Sequence, residues 1–107
     1  EAVRAIARTR LAGYLASPVY EAQQRWLGRG AQLAGVWDAW RNGGGIAAAA
    51  AAIPDDVVDA LVVHGEPDEC RAHLERFTRA GVTTPILEVM PGVLELGEAW
   101  RRLAPAG

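Results

Sequence analysis

The chain has 107 residues, a formal net charge of −2 and 50% hydrophobic residues. That length allows one domain of ordinary size with a real core, and the charge offers no electrostatic case for nucleic acid or an anionic membrane as partner. One cysteine, Cys70, excludes an internal disulfide and fits a reducing, cytoplasmic compartment.

Taken in chain order, residues 2–16 read as an amphipathic helix. Val3, Ile6, Ala7, Leu11, Tyr14 and Leu15 line one face, and Arg4, Arg8 and Arg10 fall outside it. Ser17-Pro18 stops it, because the residue before Pro resists the αR conformation. A second helix is expected from Val19 to Leu27, ending at Gly28, and a third over about 31–41 with Leu33, Val36, Trp37 and Trp40 at helical spacing. The spacing of Trp26, Trp37, Trp40 and Trp100 among Leu and Val points to packing rather than a ligand cage. Asn42-Gly43-Gly44-Gly45 is a loop. It is not a phosphate loop, since no Lys-Ser or Lys-Thr follows and no strand precedes it. The Ala run 47–52 forms a helix with little side-chain grip, so it should lie against a neighbour. At fewer than the roughly 20 apolar residues a bilayer requires, it is too short to cross a membrane.

Ile53-Pro54-Asp55-Asp56 opens another helix, with Val57, Val58, Leu61 and Val62 on its apolar side. The next segment is the most informative. Gly65 breaks the run Leu61-Val62-Val63, Glu66 stands at an N-cap, Pro67 at the first helical position, and Asp68 and Glu69 in the first turn. Cys70, His73, Leu74, Phe77 and Ala80 make one apolar stripe, Glu75 can pair with Arg79, and Gly81 closes the helix. Val82 to Met90 is β-branched or apolar and suits a buried strand over about 85–90, ended by Pro91-Gly92. A last helix, about 93–103, buries Val93 or Leu94, Leu96, Trp100 and Leu103, and Pro105 closes it.

The expected elements are therefore several helices and one strand. A lone strand leaves its N–H and C=O groups without partners, so it must pair with a second copy of the chain or with a missing part of a sheet. The chain opens on Glu1 rather than Met and is expected to be a processed or cut piece of a longer protein.

Few side chains invite a chemical role. His64 stands just before the Gly65 turn and could touch a ligand. His73 lies on an apolar stripe, and the two histidines have no carboxylate at metal-ligand spacing, so no metal site is expected. Cys70 sits in a first helical turn, where the dipole could lower its pKa, but it also falls on the buried stripe and reads as a packed thiol. Arg4, Arg8 and Arg101-Arg102 read as solvated faces.

The ordered set Ile53-Pro54-Asp55-Asp56-Val57-Val58, Val62 to Cys70, Ala80-Gly81-Val82-Thr83-Thr84-Pro85 and Met90-Pro91 resembles the C-terminal region of the luciferase-like monooxygenase family. It looks most like the family's deazaflavin-dependent members. Glu66 departs from the pattern, where Thr is common; this touches capping rather than chemistry. The resemblance implies an α/β fold: the C-terminal segment of a (β/α)8 barrel, of which a whole copy takes about 250 residues. It divides the chain into a helical excursion, 1–52, and the last helix-strand-helix unit, 53–107. It implies a parent oxidoreductase or monooxygenase that uses coenzyme F-420 or FMN on a small organic substrate, with the isolated chain inactive. If 85–90 is the last barrel strand, Glu88 and Met90 lie near the mouth of the active site. No catalytic acid or base is nameable from these residues. The rival reading is a small, non-catalytic helical module for interaction or dimerisation.

Overall fold

The computed structural model describes residues 1–92 and 94–104. Among them are seven helices: α1 (Ala2–Leu15), α2 (Pro18–Trp26), α3 (Gly30–Arg41), α4 (Gly45–Ala51), α5 (Asp55–Leu61), α6 (Pro67–Arg79) and α7 (Leu96–Leu103). They fall into two compact units that divide between Leu61 and Val62.

The first unit, α1 to α5, carries nearly all of the core. Ala7, Ala12, Leu15, Ala16, Leu33, Val36, Trp37, Ala49, Ala50, Ile53, Val57 and Val58 are all buried there. Ser17 is extended (ψ 138°) ahead of Pro18, which starts α2. The alanine run is gripped as expected: α4 packs on α1 and α3, with Ala49 and Ala50 buried. Gly44 makes that approach possible. A Cβ there would meet the Ala48 Cβ at 2.5 Å and the Ala39 carbonyl oxygen at 2.9 Å.

Three expectations change in this unit. The buried stripe of α1 runs through Ala7, Ala12 and Leu15, while Tyr14 is 58% exposed, because small residues let α4 come close. Of the tryptophans only Trp37 is buried; Trp26 and Trp40 are exposed, and the residue that α2 buries is Gln24. Arg4 and Arg8 are not free solvated charges. Arg4 makes a two-point pair with Asp59 (2.9 and 3.0 Å), and Arg8 donates to the Ile53 carbonyl (3.0 Å) and pairs with Asp55. These contacts bind α5 to α1.

The second unit holds α6, α7 and the segment between them. Helix α6 starts as its sequence dictates. Glu66 is extended at the N-cap, Pro67 follows, and the Glu69 carboxylate accepts the Glu66 N–H (2.8 Å), part of a capping box. Gly65 has φ +121°, and a Cβ there would lie 2.6 Å from Glu69 Oε2, so both the turn and the box require glycine. At the other end Gly81 (φ +110°) closes a Schellman motif: its N–H donates to the Thr78 carbonyl and Val82 N–H to the Phe77 carbonyl. Glu75 pairs with Arg79 at 2.9 Å as expected.

The strand expected over about 85–90 is not formed among the described residues. The cause is the one its backbone dictates: a strand exists only against another strand, and none is formed among the described residues. Exposure along the segment nevertheless alternates. Ile86 and Glu88 are exposed and Leu87 and Val89 half-buried, but Pro85 is exposed beside Ile86 and Met90 half-buried beside Val89, so the alternation covers four residues only. Helix α7 starts later than expected, at Leu96, because the Glu95 carboxylate accepts the N–H groups of Gly97 (2.9 Å) and Glu98 (3.0 Å). Its buried residue is Ala99, while Leu96 and Trp100 are about half exposed. Val93 and Pro105, expected at its ends, lie outside the described residues. Arg102 pairs with Glu98 rather than standing free.

Candidate functional site

His64 is half-buried in the segment that follows α5 in the chain, directly before the Gly65 turn. Glu88 is exposed and Met90 half-buried in the segment after α6. None of the three lines either of two surface hollows, and no group of three or more His, Cys, Asp or Glu among the described residues can hold a metal ion. His73 lies at the edge of its unit, its ring stacked on Phe77 with centroids 5.6 Å apart, and so serves packing.

Cys70 is buried, and its thiol donates to the Gly65 carbonyl at 3.6 Å. Burial pushes its pKa up, and the carboxylates of Glu69 and Glu66 push it further the same way. These causes all disfavour the thiolate. Cys70 should react with Ellman's reagent at neutral pH roughly tenfold or more slowly than a free cysteine, and at the ordinary rate in denaturant. A fast native rate would mean that the first turn of α6 opens readily.

The first hollow is built in the first unit by Ala16, Pro18, Glu21, Trp37, Trp40 and Arg41. Its polar feature is Glu21, which accepts from Arg25 (2.9 Å) and Arg41 (2.7 Å). Arg25 also lies over the Trp37 ring, 4.4 Å from its centroid. The Arg25 and Arg41 hydrogen bonds hold the Glu21 carboxyl below its ordinary range. The pairing of Glu21 with Arg25 was readable from their spacing of four. Arg41 arrives from another helix, and nothing local in the sequence announces it. The second hollow is lined by Glu66, Pro67, Asp68, Arg71 and Arg102. Arg71 there is spoken for by Asp68 and the Arg102 carbonyl.

These two carboxylates predict a common acid response. Glu21 and Glu95 both have folded-state pKa values below the ordinary one, Glu95 because backbone N–H groups of Gly97 and Glu98 hold its ionised form. A depressed carboxylate contributes stability that is complete above its unfolded pKa and is lost as pH falls through its folded pKa. Helicity should therefore fall on acidification below the ordinary carboxylate range. Glu95→Gln should shrink the pH response of the Gly97 and Glu98 amide shifts in NMR, most at Gly97, which carries no carboxyl of its own. Unchanged titration of those amides in that variant would refute the cap.

The sequence profile of the luciferase-like monooxygenase family matches residues 1–84, and the chain belongs to that family. The family points to oxidoreductase-type chemistry. No curated protein and no solved structure matches the chain. Among the described residues, no helix is long and apolar enough to cross a membrane.

In the first hollow Glu21 is held by Arg25 and Arg41, and beside the second the first turn of α6 is capped by Glu66 and Glu69.

Proposed function

We propose that the chain is the C-terminal part of a luciferase-like oxidoreductase built as a (β/α)8 barrel, with residues 1–52 as a helical excursion and 53–107 as the last helix-strand-helix unit. The observation that carries this is the family match over residues 1–84. In this reading the parent uses coenzyme F-420 or FMN on a small organic substrate, and the cofactor carries the redox chemistry. The barrel residues that hold it lie outside this chain, which alone is inactive. Glu88 and Met90, at the end of the last strand, and His64, at the loop before α6, are the side chains of this chain nearest the ligand. The protein works in the cytoplasm and acts on neither nucleic acid nor membrane.

The test is to read the gene upstream of the Glu1 codon and express the whole reading frame. Titration with FMN and with coenzyme F-420, followed by fluorescence, should show one of them bound at micromolar concentration or below, with none bound by residues 1–107 alone. A full reading frame that binds neither cofactor sinks the proposal. The same holds for a reading frame that adds no strands upstream, and the helical interaction module then takes its place.

A further inference from the structure

No further inference is drawn: the strongest candidate, the exposed apolar face formed by Tyr14 of α1 with Val19, Tyr20, Trp26 and Leu27 on and just after α2, carries nothing because nothing in the structure shows what covers it.

Discussion

Replacing Trp37 by alanine should unfold the first unit under conditions where the native chain is stable. Trp37 is 1% exposed and is the largest of the fully buried side chains. Its indole N–H donates to the Leu15 carbonyl at 2.8 Å, satisfying an acceptor that the end of α1 leaves over. Its ring also faces the Arg25 guanidinium. Truncation therefore removes packing and leaves a buried carbonyl unpaired, a combined loss of about 3–5 kcal/mol. That is a large part of the roughly 5–15 kcal/mol that stabilises an ordinary domain. Trp40, three residues on and 43% exposed, is the control; Trp40→Ala should cost less than about 1 kcal/mol. Urea unfolding followed by far-UV circular dichroism reads both. Equal losses in the two variants would show that the helices are not organised around Trp37.

The contrast between these two tryptophans marks the limit of what the sequence discloses. Both sit at helical spacing with Leu33 and Val36, and periodicity alone places both on the apolar side of α3. Which one is covered depends on where α1 ends and on α2 turning Gln24 inward, and neither is encoded locally. The elements themselves were legible because their punctuation is local chemistry. Ser17-Pro18, the glycines after Asn42, Gly65-Glu66-Pro67 and Gly81 fix starts and stops through φ limits, missing N–H groups and caps. What stayed hidden is relational. Arg4 with Asp59 is separated by 55 positions and Glu21 with Arg41 by 20, and no spacing rule reaches that far. The candidate site was legible only as a resemblance. His64, Glu88 and Met90 line neither of the two hollows, and no local spacing in the sequence joins them into a site.

That unpaired segment sets the second large effect. The second unit buries only Cys70 and Ala99 among its described hydrophobic residues, while Ile86 is 91% exposed and Phe77, Val82, Leu94, Leu96 and Trp100 are each more than 40% exposed. So much uncovered apolar surface beside a strand-forming sequence favours association with any available strand. Residues 1–107 alone should therefore self-associate, and light scattering should show a mass that rises with concentration. Ile86→Lys places a charge on the exposed face of the segment without disturbing α6 or α7, and charged residues are how natural edges resist pairing. Losing one buried Ile contact of about 1.5–3 kcal/mol should weaken association roughly tenfold or more. The first unit should keep its melting transition in this variant, since Ile86 is no part of its core. A native chain that stays monomeric at every concentration would mean that the exposed residues are tolerated as they stand, and would remove the structural support for a missing sheet. Association that survives Ile86→Lys unchanged would move the contact away from 85–90.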